Sequence, residues 1–478
     1  MRDHLELSAG EWLRRLRSRE LSARELCRLT LDRIDAVDGR LHALVARDDE
    51  AALAAAAAAD RARLVGSELP LLGLPVTVKD SIETAGLTTA SGSFARATHV
   101  PTQDATVVSR LRAAGAVVVG KTNVPEYTWS YETENLLHGR TVNPFSLERT
   151  CGGSSGGEAA LLGAGASIVG IGTDGGGSIR VPSHYCGIAG LRPTAGLVPE
   201  TGCWPPTRDT GMLDMSCVGP MARVVEDLAL LLPVLVGRDG ADRFVHGVVP
   251  GDPAAVDLAG LRVGLYSADG VWPVSPATRA AVMAAGSALA ASGCTLEEAT
   301  PPDVSEATDL FFELMAADGG AQARADLAPA GGRHVPQLLR LLEDLRPLAL
   351  DAAGFLDRVR RLLAFRARIR TWVGRYDVIV APVAPGPAPL HGCTPGSDEP
   401  LESYRAFNLT HVYSLAGLPV VVVRAGSERD LPIGVQVVAG PFCEARALAA
   451  AAAIERAAPP LRRLLDDPVP VSYGRSGP

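Results

Sequence analysis

The sequence predicts an α/β fold, and three observations carry that expectation. DATVVSRLRAAGAVVVGKTN, from Asp104 to Asn123, passes from helical spacing into the strand-like run AVVVG within twenty residues. Short apolar, β-branched runs of strand length recur along the chain and alternate with longer amphipathic segments. With 478 residues, 47% of them hydrophobic, the chain can bury a large core. A soft prior of about 150 residues per domain allows roughly three domains.

In chain order, Ser22 to Ala46 is spaced as a helix with Leu26, Leu29, Ile34 and Val37 on its inner side, its arginines on a solvated face. Ala52 to Leu64 is an Ala-rich second helix. LPVTVKD (Leu74 to Asp80) has the composition of a buried strand. The segment from Asp104 supplies a helix ending near Gly115 and the strand after it. Further helices are expected at 220–237, 276–292, 303–317, 351–375 and 442–457, and strands at 261–265, 377–382, 418–423 and 434–438. Ala381 to Pro400, rich in proline, is the longest expected loop. There is no internal repeat.

The formal charge of −8 argues against a nucleic-acid footprint. Eight cysteines (Cys27, Cys151, Cys186, Cys203, Cys217, Cys294, Cys393 and Cys443) form no CxxC pair, so neither a zinc site nor a disulfide framework is expected. The start, MRDHLELSAGEWLRR, lacks the apolar core of a signal peptide, and no run reaches a membrane span. A cytoplasmic protein is the expectation. DRVRRLLAFRARIR (Asp357 to Arg370) is a helix with Val359, Leu362, Leu363 and Ile369 inward and six arginines elsewhere. A solvated face outweighs contact with an anionic membrane or partner, given the acidic whole.

The chemistry concentrates in CGGSSGGEAALLGAGASIVGIGTDGGGSIRVP, from Cys151 to Pro182. Gly152-x-Ser154-x-Gly156 and its overlapping copy around Ser155 fit a nucleophile elbow, and a Ser, Asp, His order can be completed with Asp377 and either His391 or His411. An elbow serine follows directly on a strand, however, and NPFSLERTCGG reads as a turn-rich loop. Gly170-x-Gly172-x-x-Gly175 fits a dinucleotide fingerprint, with Glu200 as its acid, but SIRVPSHYCG leaves little room for the long helix required. Close backbone packing explains the glycines but not four serines beside Thr173, Asp174 and Arg180.

Gly152 to Thr194 resembles, from end to end, the Gly/Ser-rich block of the amidase signature family. LPVTVKD, ENLLHGRTVNP, VGPMARVVEDLALLL, YDVIVAPVAP, AGLPVVVV and LPIGVQVVAG are also similar to family segments, so the resemblance spans nearly the whole chain. It implies a single α/β/α domain over residues 1–478 around a large mixed sheet, in place of three domains. Residues 1–70 would form an N-terminal helical portion, 71–240 the catalytic core, and 270–400 a variable substrate region. It also implies a Ser-cisSer-Lys triad, with Ser178 as nucleophile, Ser154 as the serine after a cis peptide, and Lys79 as base. Gly175, Gly176, Gly177 and Ser178 would form the oxyanion hole, and Ser155, Thr173, Asp174 and Arg180 would support it. Thr128, Trp129, Ser130, Tyr131 and Trp204 fall in segments that border the substrate pocket in relatives. No metal or cofactor is implied.

Physical chemistry asks for the same residue types. A lysine acts as a base only when neutral, and burial can lower its ordinary value of ~10.4 by up to ~3–5 units. Asp80 alternates to the other side of the strand and need not clamp Lys79 in its charged form. Glycines at 175–177 leave N–H groups unobstructed to converge on an oxyanion. Ser167 reads as a small packing residue. Three departures from the family pattern stand out: Cys151 where many relatives have proline, Gly175 where a bulkier residue is common, and Ser414 where asparagine often stands. The expected activity is hydrolysis of a small-molecule carboxamide through a seryl acyl-enzyme, on an apolar or aryl amide, with a homodimer as an expected assembly. Two alternatives are the glutaminase subunit of a tRNA-dependent amidotransferase and a non-catalytic binding protein that retains the fold.

Overall fold

The computed structural model describes residues 7–394 and 401–461. Among them, one mixed sheet of eleven strands organises the chain. In chain order these are β1 Leu44–Ala46, β2 Pro75–Lys79, β3 Val117–Thr122, β4 Val169–Asp174, β5 Ala189–Arg192, β6 Cys217–Ala222, β7 Arg262–Leu265, β8 Thr295–Glu298, β9 Val378–Pro382, β10 Val420–Glu428 and β11 Leu431–Ala439. Their spatial order is β1-β3-β2-β4-β6-β5-β10-β11-β9-β7-β8. β2 runs parallel to both β3 and β4, whereas β6 is antiparallel to β4 and β5.

The central strands are buried on nearly every residue because both faces are covered. Period-2 alternation sorts Val421 and Val423 into one core, and Val420 and Val422 into another across the sheet. Ile379 and Ala381 likewise face away from Val378 and Val380. The result is the expected α/β/α arrangement. Helix Gly156–Gly163 lies on β2 and β4, and helix Glu444–Ala457 on β10 and β11.

Several boundaries differ from the sequence reading. The helix expected from Ser22 to Ala46 runs Ala23–Leu41, where His42 turns left-handed (φ 53°) and ends it. Residues 44–46 become the edge strand β1, paired with β3. Leu31 joins Leu26, Ile34 and Val37 on the buried side, and Leu29 is half-buried. The helix expected at 220–237 starts at Val225, because CVGPMA forms β6. Gly219 permits that strand: a Cβ there would lie 2.0 Å from the Leu191 carbonyl of neighbouring β5. The helix expected at 351–375 spans Ala352–Val373, with Leu363 exposed and Val359 half-buried rather than inward. Its arginines engage the protein's own acids: Arg358 with Glu313, Arg361 with Glu306 and Glu313, Arg366 with Asp214, and Arg368 with Glu306. Residues 395–400 of the proline-rich loop lie outside the described residues. No described helix is long and apolar enough to cross a membrane.

The site follows from the parallel trio β3-β2-β4. Lys79 ends β2 and Asp174 ends β4, so both emerge at the carboxyl edge of adjacent parallel strands, where α/β sheets hold their ligands.

Candidate active site

Lys79 is fully buried, and its Nζ lies 2.7 Å from Ser154 Oγ and 2.7 Å from Thr173 Oγ1. Burial pushes its ammonium down to about 7, against the opposing pull of Asp174. Asp80, the next residue, points elsewhere. It accepts the Ala90 N–H, and its charge partner is Lys121. The Gly153–Ser154 peptide is cis. Ser155 precedes helix Gly156–Gly163; its Oγ donates to the Thr173 carbonyl, and its N–H to the Ser178 carbonyl, at 3.1 Å. Thr173 and Ser155 thus tie the Lys79–Ser154 pair to the segment carrying Ser178.

That segment, 175–179, is held by Asp174. Its carboxylate accepts the N–H groups of Gly177, Ile179 and Arg180 and two guanidinium bonds from Arg180, all inside the protein. Burial works against the Asp174 charge, but Arg180 and then Arg192 outweigh it and hold the carboxyl down at about 2. This ion pair is not the solvent-exposed contact that the residue types alone would allow. Arg180 also reaches the Thr410 carbonyl, Gln436 and Ser414, so the Ser414 departure touches the loop anchor.

Gly177 sits at φ 134°, where a side chain is strained, and a Cβ would meet Thr410 Oγ1 at 2.8 Å. Its N–H is already donated to Asp174 at 2.8 Å. Among the described residues, the N–H groups of Gly175, Gly176 and Ser178 make no such bond. The expected set of four donors therefore reduces to three. The Gly176 carbonyl is turned away by Tyr131 Oη and Thr410 Oγ1, which both donate to it. Ser178 is half-buried and lines a cleft.

That cleft brings together Thr128, Trp129, Ser130, Tyr131 and Trp204 with Ser154 and Ser178. Tyr127 and Thr128 adopt left-handed backbone (φ 61° each), and the Tyr127 ring wedges edge-on between Trp129 and Trp204. Sequence reasoning missed the far wall, made by Met212, Phe311, Phe312, Met315, Leu341 and Tyr404. Met212 lies in a turn, and the others come from helical segments whose apolar residues look like ordinary core. It also cast His411 only as a possible triad base. His411 is instead buried, stacked on Phe311 and within 3.0 Å of Tyr131 Oη. Burial, with Arg180 nearby, pushes it down to about 3, so it is neutral.

The competing motifs are resolved by position. Asp377 binds the Arg262 N–H and faces Arg446, and His391 faces the Leu147 carbonyl, so neither joins Ser154. Gly170 and Gly172 lie within β4, where a Cβ would overlap Glu158 at 1.9 Å or Ser155 at 2.7 Å, so they serve close helix-on-strand packing. Ser167 is more than a small packing residue, since it hydrogen-bonds Thr77 and the Val169 carbonyl. Cys151 is buried, and burial pushes its thiol up to about 12, as befits a small hydrophobe. No group of three His, Cys, Asp or Glu side chains among the described residues could hold a metal ion.

The sequence and fold have counterparts in known proteins. The family model described as Amidase matches residues 25–448. The A subunit of the glutamyl-tRNA(Gln) amidotransferase of Roseiflexus sp. (strain RS-1) is 37% identical over 94% of this chain and 96% of its own. Its counterpart from Chromohalobacter salexigens is 37% identical over 95% and 96%. Among solved structures, 6-aminohexanoate cyclic dimer hydrolase complexed with substrate superposes with a TM-score of 0.86 at 26% identity, covering 97% of this chain and all of its own. A bacterial aryl acylamidase of the amidase signature family gives 0.84 at 26%, covering 94% and 96%. With a family model spanning most of its length and relatives at this identity over nearly the whole fold, the chain belongs to the Amidase family and is an amidase signature hydrolase.

Proposed function

We propose that the protein hydrolyses small carboxamides with an apolar or aryl acyl group, using Ser178 as nucleophile, Ser154 as proton relay and Lys79 as base. The observation that carries this reading is a buried lysine, lowered to about 7, within 2.7 Å of Ser154 at the foot of an aromatic-walled cleft that also presents Ser178. Neutral Lys79 takes the Ser154 hydroxyl proton as Ser154 takes that of Ser178. The Ser178 oxygen bonds the carbonyl carbon, and the π pair moves to the oxygen facing the N–H groups of Gly175, Gly176 and Ser178. Collapse breaks the C–N bond while the proton returns through Ser154 to the leaving nitrogen. Water, deprotonated the same way, then releases the acid and restores Ser178. Asp174 and Arg180 position the 175–179 segment without touching substrate.

The cleft wall supports the acyl preference. Trp129, Trp204, Phe311 and Phe312 offer large apolar area with few rotatable bonds. Among its described lining residues Glu200 alone carries a charge, so a zwitterionic glutamine finds no cation there for its carboxylate. A second reading, glutaminase subunit of an amidotransferase, is the one the curated relatives favour, at 34–37% identity over most of the chain. It needs partner subunits and a preference for glutamine over phenyl-substituted amides in kcat/KM.

The test of the first reading is covalent labelling with a fluorophosphonate followed by peptide mass spectrometry. The adduct is expected on Ser178. An adduct on Ser154 or Ser155 overturns the assignment and revives the elbow.

A further inference from the structure

An oxyanion site depends on where the carbonyls of its loop point, since a carbonyl oxygen in that space repels the charge that N–H groups stabilise. Three successive carbonyls of the 175–179 segment are turned into the protein. The Val181 N–H donates to that of Gly177 at 2.7 Å, and the Ser155 N–H to that of Ser178 at 3.1 Å. Among the described residues the Gly176 carbonyl has no backbone donor and is held by side chains alone, Tyr131 Oη at 2.8 Å and Thr410 Oγ1 at 2.6 Å. Thr410 has one hydroxyl proton and a second carbonyl, that of Phe407, at 2.8 Å. Tyr131 has no second carbonyl to serve. The Gly176–Gly177 peptide lies between two glycines, so these bonds and that of the Gly177 N–H to Asp174 are what oppose its rotation.

Whether the Tyr131 proton goes to Gly176 is decided by its other neighbour. Burial holds the phenol above its ordinary range, so Tyr131 keeps its proton, and neutral His411 carries hydrogen on one ring nitrogen only. His411 Nε2 lies 3.0 Å from Tyr131 Oη, and Nδ1 lies 3.0 Å from Thr308 Oγ1. Asn408 closes the far end of this chain. Its Nδ2 donates to Asp269 and to the Val304 carbonyl, so its Oδ1 faces Thr308 and accepts the Thr308 N–H at 3.1 Å. The Thr308 hydroxyl proton is then available to His411 Nδ1, which puts the ring hydrogen on Nε2, aimed at Tyr131 Oη. The reverse order leaves Tyr131 Oη and the Gly176 oxygen 2.8 Å apart with no proton between them. The assigned order moves the protonless contact to Thr308 Oγ1 and Asn408 Oδ1, at a longer 3.0 Å, where Oδ1 already has its donor. The imidazole is fixed by stacking on Phe311, with centroids 4.5 Å apart and planes 18° from parallel.

We propose that Tyr131 is a positioning residue for the reaction as well as part of the cleft wall: its hydroxyl, with its proton directed by His411 Nε2–H, holds the Gly176 carbonyl inward so that the oxyanion meets only N–H groups. The ring lines the cleft and the hydroxyl does not enter it, so loss of the hydroxyl alone weakens the transition state and leaves ground-state binding in place. The inference rests on the reading of Ser178 as nucleophile, with the N–H groups of Gly175, Gly176 and Ser178 around the oxyanion.

The test compares the parent with Tyr131→Phe, which keeps the ring, on phenylacetamide and on benzylboronic acid, whose tetrahedral adduct with the Ser178 hydroxyl puts an oxygen where the oxyanion forms. Tyr131→Phe is expected to lower kcat about tenfold with KM changed by less than about twofold, and to weaken benzylboronic acid by the same factor as kcat/KM. That loss is the scale of one hydrogen bond and lies below the ~10²–10³ of a missing oxyanion donor. Nitrogen NMR of labelled histidine in the unsubstituted protein is expected to find the His411 hydrogen on Nε2. Parental kcat and boronate affinity in Tyr131→Phe, a loss confined to KM, or His411 hydrogen on Nδ1 overturns the proposal. Ser178→Ala separates this from the reading beneath. If benzylboronic acid binds Ser178→Ala as tightly as the parent, the nucleophile assignment fails and the positioning role falls with it. If its binding requires Ser178 while Tyr131→Phe matches the parent, the hydrolase reading stands and Tyr131 alone loses its role.

Discussion

If Lys79 is the base, its protonation should govern the pH dependence of turnover. Its burial lowers the group from 10.5 to about 7. At pH 7 roughly half the molecules then hold the neutral amine, against roughly one in three thousand for an unshifted lysine. The sign follows from the neutral form being active: kcat/KM should rise with pH, level off above about 8, and fall tenfold per unit well below 7. At pH 5.5 the loss from the plateau should be about thirtyfold, with the midpoint belonging to Lys79 coupled to the two serines. The assay is kcat/KM for an aryl amide from pH 5.5 to 9.5, in parent and Lys79→Ala enzymes. The variant should lose far more than the ~10²–10³ expected for one missing oxyanion donor, and an activated ester should suffer less than the amide. A flat profile in the parent, or Lys79→Ala enzyme retaining near-parental amide turnover with an unchanged rise, would refute the base assignment.

Three other outcomes are expected. Trp129→Ala and Trp204→Ala should raise KM for phenyl-substituted amides more than for acetamide, since each removes ring area from the cleft wall; equal effects on both substrates would argue against acyl recognition there. Asp174→Asn leaves Arg180 buried without its partner, so stability should fall by about 3–5 kcal/mol in denaturant unfolding, and a change under 1 kcal/mol would show the pair to be dispensable. Glu158 is buried against Thr77 and Thr122, and burial pushes its carboxyl up to about 7. The stability this provides is complete below about pH 4.5 and lost as pH rises through 7, so Glu158→Gln should melt higher than the parent at pH 8.5, with the gap closing toward pH 5.

Much of the site was legible because its chemistry is local in sequence. Ser154, Ser155, Thr173, Asp174, Ser178 and Arg180 fall within 27 residues, and Lys79 closes a strand whose composition already predicted burial. The helix and strand alternation likewise gave the α/β class, because each element's period follows from backbone geometry. Segments that fold according to a distant neighbour were read less well. Residues 44–46 are an edge strand only because β3 offers its edge, and CVGPMA is a strand only because β4 and β5 flank it.

What the sequence by itself determined was the class of fold, the residue types able to do acyl transfer and the need for a desolvated lysine. What only the tertiary structure decided was which groups are free to act. Gly177 looks like an oxyanion donor until Asp174 is seen to hold its N–H. Phe311 and Leu341 look like core until they wall the cleft, and Glu200 looks like a loop acid until it is found among the cleft's lining residues. Hydrogen bonds and burial are pairwise properties of atoms far apart in the chain. Spacing along a sequence can nominate a donor, but only the packed fold determines whether that donor is already spent.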